Sequence, residues 1–76
     1  MVHLDVDFKS KLHEHCQKDK ISLAFAVVEE QQEAGKSFYE IEVRLDGKGY
    51  GRGTGKSKKS AEQTAARAAW AQLEAN

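Results

Sequence analysis

The pattern of hydrophobic and polar positions changes period along the chain, and each change marks an element. Phe8, Leu12 and Cys16 recur every four residues and predict a helix over about 8–18, with Asp7 as its N-cap. Ser10, His13 and Glu14 lie three and four apart on another face of that helix. Residues 19–22 read as a loop. Leu23, Phe25 and Val27 then alternate with Ala24, Ala26 and Val28, as a strand over 23–29 requires. Residues 31–36 contain Gly35 and, Ala34 apart, no apolar side chain, and predict an exposed loop. Over 37–45, Tyr39, Ile41, Val43 and Leu45 oppose Phe38, Glu40, Glu42 and Arg44. This strand is buried on one face and wet on the other, which fits an antiparallel sheet covered on a single side. Asp46-Gly47 is a hairpin turn signal, and a third strand follows over 48–52. From about Ser57 to Ala75, Ala61, Ala65, Ala66, Ala69, Trp70 and Leu73 fall within half of a helical wheel. The expected fold is α+β, in the order α-β-β-β-α, with two helices on one face of a three-stranded antiparallel sheet.

Length and charge narrow the function classes. Seventy-six residues suffice for one domain but not for a deep catalytic pocket beside its core. Twelve basic and twelve acidic residues cancel, so distribution matters more than the total. Residues 29–42 carry five acids and one base, and residues 44–59 carry six bases and one acid. A concentrated basic segment can bind polyanions in a neutral protein. One cysteine, Cys16, excludes an intrachain disulfide and fits a reducing, cytoplasmic compartment. No apolar run is long enough to span a membrane. Residues 1–6 are expected to form a flexible N-terminal segment, and 7–76 the domain.

The most concentrated chemistry lies in 49–63, GYGRGTGKSKKSAEQ. Glycine allows close approach of backbone to a ligand, a helix start favours anions, and Lys56, Lys58 and Lys59 add full charges. The expected ligand is phosphate. A nucleotide P-loop is excluded by register: Gly55-Lys56-Ser57 matches its end, but Tyr50 stands where the pattern needs glycine. His13, His15 and Cys16 diverge on a helix and lack the ligand count of a zinc site, so no metal is expected. His15 and Trp70 are expected to pack rather than to bind.

Gly51-x-Gly53-x-Gly55-x-Ser57-Lys58-Lys59-x-Ala61-x-x-x-Ala65-Ala66, preceded by α-β-β-β, resembles the double-stranded RNA-binding domain. Glu62-Gln63 and the opening Asp7-Phe8-Lys9-Ser10 with Leu12-x-Glu14 are most similar to the C-terminal domain of bacterial ribonuclease III. The resemblance implies shape-specific binding of double-stranded RNA through three surfaces. The first helix enters a minor groove with Ser10, His13 and Glu14. The loop between the first two strands enters the next with Gln32 and Lys36. The start of the last helix grips phosphates with Lys56, Ser57, Lys58 and Lys59, with Gln63 nearby. The Gly-Pro-x-His of many family loops is Gln32-Glu33-Ala34-Gly35 here, which predicts weaker binding than the full loop gives. The resemblance further implies a chain without catalysis, cofactor or small-molecule substrate. It would position RNA for a separate endonuclease domain that uses magnesium, dimerises and processes RNA, ribosomal RNA included. A protein-interaction or dimerisation module of the same fold is the alternative.

Overall fold

The computed structural model describes residues 7–75; the expected flexible segment 1–6 lies outside the described residues. Helix α1 spans Phe8–Asp19, strands β1, β2 and β3 span Leu23–Glu33, Lys36–Leu45 and Lys48–Gly55, and helix α2 spans Lys58–Ala75. The strands form one antiparallel sheet in the order β1-β2-β3. Both helices lie on the same face of it, as expected.

Each helix begins where a side chain takes up an orphan amide. Asp7 caps α1, its carboxylate accepting from the Ser10 N–H at 3.2 Å, and Ser57 caps α2, its hydroxyl accepting from the Ser60 N–H at 3.1 Å. At the other end of α1, Lys20 turns left-handed (φ 56°) and the Ile21 N–H donates to the Cys16 carbonyl at 2.7 Å. Asp46 and Gly47 both have positive φ, as a two-residue hairpin turn with strand-matching twist requires. The Asp46 carboxylate also accepts from the Ser22 N–H at 2.9 Å, so the turn fixes the loop leaving α1.

The core follows the alternation of β2 and the alanine stripe of α2. Leu12, Cys16, Ile41, Val43, Leu45, Ala61, Ala65, Ala66 and Ala69 are buried, and Trp70 and Leu73 pack against them. Burial pushes the Cys16 thiol above its usual range, with Asp46 and Asp19 adding to the effect, so this cysteine is an inert packing group.

Expectations about the strand bounds and about the glycines need correction. The loop over 31–36 does not exist as such. β1 continues to Glu33 and β2 begins at Lys36, leaving only Ala34 and Gly35, both at positive φ, as the turn. Cross-strand partners run from Gln31–Phe38 to Glu33–Lys36, after a bulge that leaves Val28 without a partner. A two-stranded ribbon extending past the helices has no face to bury, so polarity does not distinguish it from a loop. β3 likewise reaches Gly55 instead of ending at Arg52.

The second correction concerns the glycines of β3. Gly51, Gly53 and Gly55 do not offer their backbone to a ligand; they lie under α2. A Cβ on Gly51 would stand 2.5 Å from the Ala69 nitrogen, one on Gly53 2.1 Å from the Ala65 nitrogen, and one on Gly55 2.7 Å from the Ala61 nitrogen. None of the three has positive φ, so space is the requirement and not torsion. The periods match: two residues of strand advance about 6.8 Å and four residues of helix about 6.0 Å. Alternate glycines therefore meet every fourth residue of the helix.

Candidate nucleic-acid interface

The close seating of α2 on β3 fixes where its first turn points. Lys58 and Lys59 open the helix, Ser57 caps it, Lys56 precedes the cap, and all four are exposed. The Ser57 hydroxyl oxygen is engaged by the Ser60 N–H, so its own O–H remains to donate. None of the ion pairs among the described residues involves these three lysines. The two arginines of the basic segment are committed elsewhere. Arg44 Nε lies 2.9 Å from Glu42 Oε1, and Arg52 Nε lies 3.3 Å from Glu42 Oε2. The Arg44 hydrogen bond, more than that of Arg52, holds the Glu42 carboxyl below the usual range. The basic segment thus divides: its arginines neutralise acids on the open face of the sheet, and three of its four lysines, Lys56, Lys58 and Lys59, crowd the positive end of α2.

Alongside that end runs a cleft of about 480 Å³ lined by Asp7, Lys9, Ser10, His13, Lys59, Glu62 and Gln63. Ser10 and His13 therefore share this cleft with Lys59. His13 stands 6.4 Å from the Phe25 ring, centroid to centroid. Glu14 is placed apart; it lines a neighbouring concavity with Lys11, His15, Lys18 and Trp70. There His15 meets Trp70 edge-on at 5.9 Å and Lys11 Nζ lies 5.4 Å from the indole centre. His15 and Trp70 pack, as expected of both. Gln32 and Lys36 are exposed at the tip of the β1–β2 ribbon, with Glu33 paired across from Lys36. They share a shallow hollow with Ala34, Gly35 and Ser37 and do not enter the α1–α2 cleft.

The cleft contains two links that the sequence pattern does not reveal. Gln63 Nε2 donates to Asp7 Oδ1 at 2.8 Å, which leaves Gln63 Oε1 buried without a partner. Lys9 Nζ donates to Glu62 Oε1 at 2.7 Å and lies 5.5 Å from the Phe25 ring centre. Asp7 also accepts from the Ser10 hydroxyl at 2.8 Å. Gln63, with one N–H of its side-chain amide engaged by Asp7, is a tie between the helices.

Hydrogen bonds from Gln63, then from the Ser10 side chain and backbone, hold Asp7 at about 2, against 3.8 for a free carboxyl. A depressed carboxyl stabilises the fold above its unfolded pKa, and the contribution is lost as pH falls through the folded value. Asp7→Asn keeps a capping side chain but not the charge. The variant should be less stable than the parent at pH 5 in urea titration, and the gap should narrow between about pH 4 and pH 2. A gap that stays constant with pH would show that Asp7 does not act through its charge.

Comparison with known proteins fits this geometry. A family described as double-stranded RNA binding motif matches residues 8–73. Ribonuclease 3 of Lactiplantibacillus plantarum is 42% identical over 69 residues, covering 90% of this chain and 30% of the relative. Ribonuclease 3 of Bacillus velezensis is 43% identical over 70 residues, covering 91% of this chain and 28% of the relative. The chain thus spans less than a third of the length of these curated relatives. A solved structure of Arabidopsis HYL1, described for its implications for miRNA processing, superposes with a TM-score of 0.77 at 35% identity, covering 95% of this chain and 99% of that one.

Proposed function

The chain belongs to the double-stranded RNA binding motif family, and on that premise we propose that it grips duplex RNA by shape and holds it for a catalytic domain elsewhere in a longer protein of the ribonuclease III kind. One observation carries the reading: Ser10 and His13 of α1 line the same cleft as Lys59 of α2. A ligand seated there meets hydrogen-bonding groups and a phosphate-binding lysine together. A-form RNA offers that pair of features, 2′-hydroxyls across a wide shallow minor groove and phosphates bordering the adjacent major groove. The Ser10 O–H is spent on Asp7, so its oxygen is left to accept from a 2′-hydroxyl. Glu14 accepts in the same way from the neighbouring face of α1. Lys56, Lys58 and Lys59 take phosphates, with release of counterions. Gln32 and Lys36, at the tip of the ribbon, reach the next minor groove along a duplex of about 16 base pairs.

Catalysis lies outside this reading of the chain. Among the described residues no three His, Cys, Asp or Glu side chains converge to hold a metal ion. The described residues do not fit magnesium, which in this reading belongs to the catalytic domain proposed for the longer protein, as does its dimerisation. No helix among the described residues is long and apolar enough to cross a membrane.

A salt titration of binding to a roughly 20-base-pair RNA duplex, run against DNA of the same sequence, tests the proposal. The RNA should bind more tightly at every salt concentration, with little dependence on its sequence. Equal affinity for the two duplexes, or no binding at low salt, would overturn it.

A further inference from the structure

The cleft joins two surfaces that would meet one duplex, and at this end of the helices their relative placement depends in part on polar contacts. The buried anchors of α1 are Leu12 and Cys16, in its second and third turns. Its first turn, which carries Ser10, is held by half-buried Phe8, by the Lys11 ammonium over the Trp70 ring of α2, and by the two hydrogen-bonded ties to α2, Asp7–Gln63 and Lys9–Glu62. Glu62 and Gln63 sit one turn beyond Lys58 and Lys59 on a helix that the β3 glycines keep close to the sheet. Both ties therefore connect the turn that would face the minor groove with the turn that would grip phosphate.

Lys9 is poorly placed for its own helix, and Glu62 for a phosphate. Lys9 lies in the first turn of α1, where the helix dipole disfavours a cation, and its ammonium reaches across to Glu62 and the face of Phe25. Glu62 lies beside the lysines, where an unpaired carboxylate would repel phosphate. Paired at 2.7 Å, with both side chains about two-thirds or more covered, the two cancel in charge and keep only their directional effect. We propose that Lys9 and Glu62, with Asp7–Gln63 beside them, are positioning residues that set the spacing between the α1 groove contacts and the α2 lysines. They thereby select the A-form of RNA over the B-form of DNA. The minor groove of B-DNA is narrow, so a fixed spacing suited to the A-form is penalised on DNA, while a loosened one is not. This inference rests on the RNA-binding reading above.

A charge swap tests it. Lys9→Glu and Glu62→Lys each break the pair but change the net charge by two in opposite directions; the double variant restores both pair and charge. Charge alone should weaken binding of both duplexes in the first variant and strengthen both in the second, leaving the RNA-to-DNA affinity ratio unchanged. Positioning instead lowers that ratio in both single variants, by about fivefold for a pair of this exposure, and returns it to within about twofold in the double. Residual dipolar couplings of the free protein give a readout without RNA: the α1–α2 orientation should shift in each single variant and return in the double. A ratio or an orientation that the single variants leave unchanged would overturn the proposal. Failure of the parent chain to prefer RNA would overturn the binding reading and this inference with it, whereas an unchanged ratio in a parent that does prefer RNA sinks this inference alone.

Discussion

Replacing Lys58 and Lys59 together by alanine should weaken duplex RNA binding by about 10- to 100-fold at moderate salt while leaving the fold intact. Both side chains are exposed and belong to none of the ion pairs among the described residues, so no internal contact is lost. Alanine is the better helix former, and removing two cations from the positive end of α2 relieves an unfavourable dipole interaction. Thermal stability should therefore hold or rise slightly as affinity falls. The loss should be nearly uniform across duplex sequences, because phosphate carries no sequence information. The slope of log affinity against log salt should shrink by up to about 2, one counterion set for each lysine removed. An unchanged slope would mean that neither lysine touches phosphate. A drop in affinity that came with unfolding would point to a structural role instead.

How much of this was legible in the sequence depended on how local the cause was. The β2 alternation, the Asp46-Gly47 turn, the Asp7 cap and the alanine stripe of α2 all depend on neighbours within about four residues, and each appears in the structure as expected. The ribbon over Glu29–Lys36 was hidden because nothing buries it: a polar strand stabilised only by its partner looks like a loop. Ala34 at positive φ concealed the turn as well, since alanine is not a residue that announces such torsion. Ser10, His13 and the lysines were legible as candidates and the structure gathers Ser10, His13 and Lys59 into one cleft. The ties within that cleft were not legible. Asp7 and Gln63 are 56 positions apart, and Lys9 and Glu62 are 53; no periodicity connects them until the sheet folds the helices together. The glycines at 51, 53 and 55 are visible in the sequence but do not declare their use, because alternate glycines serve a backbone approach of either kind, to a ligand or to a helix.

That last ambiguity leads to the largest expected effect on stability. Gly53→Ala should cost about 3 kcal/mol, a large fraction of the roughly 4–11 kcal/mol available to a domain of this size. The added Cβ would stand 2.1 Å from the Ala65 nitrogen and 2.5 Å from the Thr64 carbonyl carbon. Both are backbone atoms of α2, so no side-chain rotation relieves the contact. Only a shift of the whole helix does, and that opens the buried layer formed by Ala61, Ala65, Ala66 and Ala69 against Ile41 and Val43. Gly51→Ala and Gly55→Ala meet the helix at 2.5 and 2.7 Å and should cost progressively less, giving an order in urea denaturation that follows the distances. Ala65→Gly should not rescue Gly53→Ala, because the obstruction is the nitrogen of Ala65 and not its methyl group. A Gly53→Ala variant within about 0.5 kcal/mol of the parent, the range of a neutral surface substitution, would show that α2 does not sit on β3 at this distance. If the expected loss is found, the lysines of α2 owe their placement to the glycines that precede them. The Gly-x-Gly-x-Gly pattern then belongs to the binding site only through the helix it allows to lie flat.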